Sequence, residues 1–167
     1  MTELAFIALG SNIDPEINLP LAASRLSALG KPIAGSMVYQ NPAIAYEPQP
    51  DYLNAAVLVE TDLEPVKIRA ILREIEAELG RVRTGDKYAP RTIDLDLCML
   101  GDRVFDHELL SLPDPDLLTR AHLAVTIAEL QPEFPHPRTG EPLEDIANRI
   151  GKDAALIPRS DVLLFNV

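Results

Sequence analysis

Asp94 and Asp96 are the two residues of this chain whose type and spacing point most directly to chemistry. They lie in Ile93-Asp94-Leu95-Asp96-Leu97-Cys98-Met99-Leu100, an alternating run that reads as a strand. Alternate side chains of a strand share a face, so the two carboxylates stand together about 6.5–7 Å apart, opposite Ile93, Leu95, Leu97 and Met99. Carboxylates that close repel one another unless a counter-charge intervenes. One or two Mg²⁺ ions would remove the repulsion: that hard cation prefers carboxylate oxygens, and two metals about 3.5–4 Å apart can share such a pair. Periodicity alone also allows an ordinary half-exposed strand with solvated aspartates.

The positions before the pair are basic. Residues 81–91 read RVRTGDKYAPR, with Arg81, Arg83, Lys87 and Arg91 against Asp86, a local charge of +3 in a chain whose formal charge is −11. Arginine binds phosphate through a planar two-pronged fork. Guanidinium and metal together neutralise charge on a transferring phosphoryl group. A solvated loop, or a purely structural Arg91–Asp94 salt bridge, would explain the same adjacency without a ligand. No Gly-Lys phosphate loop and no dinucleotide fingerprint is present, and Gly10-Ser11-Asn12 is too short to count as either.

Composition narrows the partners. The 167 residues fit one domain over 1–167 that needs no disulfide or structural metal to fold. A lone cysteine excludes a disulfide framework and a zinc finger and makes the reduced cytoplasm the expected compartment. No apolar run approaches the roughly 20 residues of a membrane span, and no signal peptide opens the chain. The negative charge disfavours nucleic acid and anionic membrane as partners.

Several elements must position these side chains. Glu3–Leu9 reads as a buried strand, residues 16–29 as a helix with Ile17, Leu21, Leu26 and Leu29 on one face and Pro20 near its first turn, and Ala34–Gln40 as a second strand. A proline-rich loop over 41–51 precedes a third strand at Tyr52–Glu60. Ile68, Ile71, Leu72, Ile75 and Leu79 mark a helix over 64–79, with Lys67, Arg69, Arg73, Glu74 and Glu78 on its other faces. A hairpin is expected around Gly101–Asp102, one or two helices over 116–130, another over 143–150, and an edge strand in the tail VLLFNV. Connections too short for helical crossovers favour an antiparallel or mixed sheet with helices packed on it, an α+β domain.

The segment Lys87-Tyr88-Ala89-Pro90-Arg91-Thr92-Ile93-Asp94-Leu95-Asp96-Leu97 resembles the signature of the 6-hydroxymethyl-7,8-dihydropterin pyrophosphokinases of folate biosynthesis. ALGSN at Ala8–Asn12, QPDYLNAAV at Gln49–Val57 and GRVR at Gly80–Arg83 agree in order and spacing. The resemblance implies an α/β/α three-layer domain with a ferredoxin-like, mainly antiparallel sheet. It also implies transfer of pyrophosphate from ATP to the pterin hydroxymethyl group with release of AMP, by a monomer or homodimer. Two Mg²⁺ ions would sit on Asp94 and Asp96. Arg81 and Arg91 would be catalytic, and Arg83, Lys87, Tyr88, Arg91, Ser111, Asp114 and Arg120 would bind ATP. Ile44 in the 41–51 loop, Tyr52, Asn54 and His122 would bind the pterin. A flat, polar-edged ring does call for an aromatic platform and amide-like hydrogen bonds, which Tyr52 and Asn54 could supply from one strand face. Tyr52 as a merely packed aromatic stays open.

Three positions depart from the family pattern. Pro113-Asp114-Pro115 has an acid where a histidine is usual, and His122 replaces a stacking phenylalanine and could titrate near neutral pH. Thr126 replaces a helix proline. Asp102–Leu118 carries a net −4 beside the expected ATP site, an unfavourable field for a triphosphate. His107 and His136 read as surface or structural residues.

Overall fold

A computed structural model of the chain describes residues 1–43, 45 and 47–165; Ile44, expected at the pterin site, lies outside the described residues. The first apolar run forms β1, Glu3–Ser11. It is the middle strand of a three-strand core, antiparallel to β4, Tyr52–Thr61, on one side and to β5, Asp94–Leu100, on the other. Two short strands share the far edge of β4: β2, Lys31–Gly35, and β3, Tyr39–Asn41. The single strand expected over 34–40 is thus broken. At the break Ser36 satisfies Ala56 from both sides, its N–H donating to the Ala56 carbonyl (2.9 Å) and its hydroxyl accepting from the Ala56 N–H (2.8 Å).

Helices cover both faces of this sheet. On one face α1, Pro15–Arg25, and α2, Pro65–Glu78, pack Leu19, Ala22, Ala23, Ile68, Leu72 and Ile75 against Ile7, Leu9, Val57 and Leu95. On the other, α3, Ala121–Leu130, and α4, Leu143–Gly151, pack Leu123, Ile127, Leu143 and Ile146 against Phe6, Leu58 and Met99. The result is the expected three-layer α+β arrangement.

Five local expectations are corrected. Helix α1 starts at Pro15, which places Pro20 inside it, and its buried stripe runs through Leu19, Ala22, Ala23 and Leu26, leaving Ile17 67% exposed and Leu21 exposed as well. A β-bulge pairs Phe6 with Met99 but Ile7 with Leu97, so the alternation of β5 breaks at Cys98. Met99 therefore joins the α3–α4 core instead of the face of Leu95 and Leu97. Among the described residues no strand pairs with β5 directly after the Gly101–Asp102 turn; Arg103 is held by Glu3 and Glu64, and the chain returns to β5 at Asp114, whose N–H donates to the Cys98 carbonyl at 2.8 Å. The hairpin comes later, β6, Phe105–Asp106, pairing with β7, Ser111–Leu112. Finally, the edge strand near the C-terminus is β8, Ile157–Pro158, on β3, while Val162 and Leu164 bury in the α1–α2 core; Asn166 and Val167 lie outside the described residues.

Candidate active site

The register of the three core strands sets the site. Gly10 of β1 lies opposite Asn54 of β4 and opposite Asp94 of β5, and two residues along Ala8 lies opposite Ala56 and Asp96. Two strand spacings thus separate Asn54 from Asp94, roughly 10 Å. All these positions face the α3 layer, near the start of that helix, and the small side chains between them form a floor. A Cβ at Gly10 would come to 2.9 Å from Asn54 Oδ1 and 3.8 Å from Tyr52 Cδ1. Over this floor opens a cavity of about 430 Å³.

The cavity brings together most of the residues expected at a site. Tyr52, Asn54 and His122 line it, as do Asp94 and Asp96, and so do Lys87, Tyr88, Arg91, Asp114 and Arg120. A second cavity of about 300 Å³, on the other side of Asp96 and Asp114, holds Ser111 among Leu72, Leu97, Leu109 and Leu110. Two expected residues do not reach either wall. Arg81 lies beneath Asp94 with 9% of its side chain exposed, and Arg83 turns back to Glu76.

The aspartates are not bare. Arg81 donates to Asp94 Oδ1 at 2.9 Å and Arg91 to Asp94 Oδ2 at 2.8 Å, while Arg73 reaches Asp96 Oδ1 at 3.4 Å. The Arg91–Asp94 pair that the sequence allows is therefore formed. Asp96 lies deep among protein atoms yet keeps 46% of its side-chain surface open to the cavity. Burial first, then the charge of Asp94, push its carboxyl up to about 7 against the pull of Arg73. Burial also raises Asp114, whose carboxylate caps the 3₁₀ turn Pro115–Leu118 by accepting from the Asp116 N–H at 2.9 Å. Burial, and next the neighbouring Arg120, lower His122, so its imidazole is neutral at neutral pH. The Tyr52 phenol is raised, chiefly by burial.

Three residues essential to this arrangement escape the sequence reading. Glu76, its side chain 2% exposed, accepts from Arg73 (2.9 Å), Arg81 (2.6 Å), Arg83 (2.6 Å) and the backbone N–H of Leu95 (2.8 Å). Its signal is an acid set into the apolar stripe of α2, four residues after Leu72. Asn12 joins the two loops around the cavity: its backbone N–H donates to the Arg91 carbonyl, and its side chain accepts from the Arg91 N–H and donates to Gln49 Oε1 and the Pro50 carbonyl. Gln49 in turn donates to the Tyr88 carbonyl. Arg73 is the third, placed by periodicity off the apolar stripe but turned toward β5.

Among the described residues no group of three or more His, Cys, Asp or Glu side chains is arranged to hold a metal. A zinc-type cage is therefore not what they form. Two carboxylates beside an open, polar cavity suit instead a hard cation that takes the rest of its shell from water and phosphate oxygens. His107 stacks on Phe105 at the surface, and His136 is buried with Nδ1 accepting from the Arg138 and Thr139 N–H groups, so neither belongs to the site. Thr126 bonds back to the His122 carbonyl at 2.8 Å at the cavity edge.

Residues 6–132 match the sequence profile described as 7,8-dihydro-6-hydroxymethylpterin-pyrophosphokinase. A protein named 2-amino-4-hydroxy-6-hydroxymethyldihydropteridine pyrophosphokinase from Synechocystis is 34% identical over 153 residues, covering 87% of this chain and 75% of that one. One of the same name from Haemophilus influenzae is 34% identical over 138 residues, covering 81% and 86%. The folic acid synthesis protein fol1 of Pneumocystis carinii is 36% identical over 140 residues, which are 83% of this chain but 19% of that longer protein. Among solved structures, wild-type Plasmodium falciparum HPPK-DHPS with pteroate superimposes with a TM-score of 0.69 at 14% identity, over 89% of this chain and 44% of that one. That likeness is one of fold.

Proposed function

The chain belongs to the 7,8-dihydro-6-hydroxymethylpterin-pyrophosphokinase family, and from that premise we propose that it transfers pyrophosphate from ATP to the hydroxymethyl group of 6-hydroxymethyl-7,8-dihydropterin, releasing AMP, in folate biosynthesis. It does so as one domain in the cytoplasm. The observation that carries this reading is the row Asn54–Gly10–Asp94 across three strands: it sets a platform for a flat heterocycle about two strand spacings from a pair of carboxylates.

On this reading Tyr52 and the neutral His122 offer faces to the pterin, and Asn54 bonds its polar edge. The pterin hydroxyl oxygen then bonds to the β-phosphorus and gives its proton to water, as the bond from that phosphorus to the bridging oxygen breaks and AMP leaves with that oxygen. Asp94 and Asp96 would hold Mg²⁺, two ions, which would supply charge neutralisation on the triphosphate. Arg81 keeps a fixed positive charge beneath Asp94 because Glu76 leaves it little freedom to move. Arg91, with Lys87, Tyr88 and Arg120 around the mouth, meets the phosphates, while Arg83 stays on Glu76, and Ser111 faces the nucleotide from the second cavity. A loose transition state asks mainly for such positioning and charge. Asp114, raised by burial, is protonated more readily than a surface aspartate, which softens its repulsion of the nucleotide.

Incubating the protein with Mg-ATP and hydroxymethyl-dihydropterin tests the reading: AMP must appear in step with the pyrophosphorylated pterin. Release of ADP, or no nucleotide turnover by folded protein, would overturn it.

A further inference from the structure

Each of the paired aspartates already has a cation from the chain, and the two are served differently. Asp94 is bound by two arginines of the basic loop, Arg81 and Arg91, at 2.9 and 2.8 Å. Asp96 is reached by Arg73 alone among the described ion pairs, at 3.4 Å, from within helix α2. Arg73 is otherwise firmly seated: one terminal nitrogen donates to Glu76 Oε1 at 2.9 Å and to the Leu95 carbonyl at 2.8 Å. Its second terminal nitrogen makes the long contact to Asp96, and its Nε–H is buried without an acceptor. The side chain also forms part of the wall of the second cavity, which meets the first at Asp96 and Asp114.

Resting on the reading of Asp94 and Asp96 as cation ligands, we propose that Arg73 is a positioning residue. It holds the Asp96 carboxylate in the cation-free protein, and an incoming divalent cation must displace it. Letting go of Asp96 loses one long hydrogen bond, while Glu76 and Leu95 still hold the other end of the guanidinium. The exchange is therefore local and reversible. A unit positive charge this near Asp96 Oδ1 competes with a divalent cation for the same oxygen, by occupancy and by repulsion. Arg73 thus sets how much Mg²⁺ the protein requires.

The test is the Mg²⁺ dependence of binding of α,β-methylene-ATP, an analogue whose scissile linkage cannot break, followed by calorimetry without pterin. Arg73→Gln should lower the Mg²⁺ concentration for half-maximal binding about three- to fivefold, the scale of a partly exposed ion pair. Arg73→Lys keeps the charge and should stay near the wild type. Arg69→Gln, one turn earlier on α2 and lining the same second cavity, should leave the Mg²⁺ requirement in place. An unchanged requirement in Arg73→Gln overturns the proposal, and so does an equal drop in Arg69→Gln, which would mean a general field effect. On the wild-type protein, the Arg73 Nε–H resonance must move when Mg²⁺ is added to the analogue complex; if it does not, the proposal fails even should Arg73→Gln not fold. Absence of any Mg²⁺-dependent binding by the wild type would instead sink the reading of the aspartate pair itself, so the two failures are distinguishable.

Discussion

Asn12 and Arg91, seventy-nine residues apart, exchange two hydrogen bonds: the Asn12 N–H donates to the Arg91 carbonyl at 3.1 Å, and the Arg91 N–H donates to Asn12 Oδ1 at 2.8 Å. The end of β1 thereby pins the end of the basic loop just where Arg91 turns onto Asp94. Because the same side chain also donates to Gln49 and Pro50, the two loops that flank the cavity share one anchor.

Asn12→Ala should therefore loosen both loops at once. We expect kcat/KM to fall about tenfold or more, since small misplacements of charged groups at a phosphoryl-transfer site are costly. Amide hydrogen exchange in 82–91 and 47–51 should accelerate together. Asn12→Asp keeps the acceptor for the Arg91 N–H but not the donors, so it should loosen 47–51 more than 82–91. Exchange that rises in one loop alone in Asn12→Ala would contradict the shared anchor.

Glu76 supports the site from below. Its carboxylate is buried and meets three guanidinium groups and one backbone N–H. Removing it leaves Arg81 buried without its closest partner, a loss on the order of 3 kcal/mol. Glu76→Ala should show that decrease in urea unfolding together with a severe loss of turnover. Glu76→Gln, with the acceptor shape kept and the charge removed, should fall between the two.

The sequence makes half of this site legible because that half obeys a local rule. Asp94 and Asp96 share a face by strand alternation, and Arg81, Arg83 and Arg91 crowd into eleven positions. What it hides depends on relations between elements. Glu76 is hidden by its place within an apolar stripe, and only the arrival of Arg81 and Arg83 from beyond α2, joining Arg73, explains an acid there. Arg73 has a spacing off the apolar stripe, yet its long side chain crosses from α2 to the edge of β5. Met99 breaks the alternation because β1 and β5 slip by one residue at Cys98, a bulge decided by pairing and not by either strand alone. Ile17 and Leu21 mislead in the opposite direction: they are apolar at helical spacing, but Leu19, Ala22 and Ala23 are the residues of α1 that bury against the sheet.

The protonation of Asp96 has a consequence for stability. Its folded-state carboxyl is raised to about 7 by burial and by Asp94, so the folded chain binds that proton more tightly than the unfolded chain does. The stability this contributes is present below the ordinary carboxylate range and is lost as pH rises from there through about 7. Asp96→Asn removes the dependence. Its melting temperature should exceed that of the wild type at about pH 8, without Mg²⁺ or nucleotide, and the gap should close toward about pH 5. A gap that stays constant across that range would show that Asp96 is already ionised at the lower pH.

Gly10 gives the sharpest separation between the two substrates. A Cβ there would stand 2.9 Å from Asn54 Oδ1, closer than carbon and oxygen tolerate, and Asn54 is itself tied by its side-chain amide to Asn41 Oδ1. Gly10→Ala must displace the Asn54 amide, and overpacking of this kind costs about 1–3 kcal/mol. Pterin affinity should drop about tenfold or more, with Gly10→Val weaker still. Binding of α,β-methylene-ATP with Mg²⁺ should change little, because Asp94 and Asp96 are oriented by Arg81, Arg91 and Arg73 and not by Asn54. Fluorescence titration with the pterin and calorimetry with the nucleotide analogue, on the same preparations, measure the two affinities. Equal losses for both ligands would mean that the floor at Gly10 orients the aspartates as well as the amide.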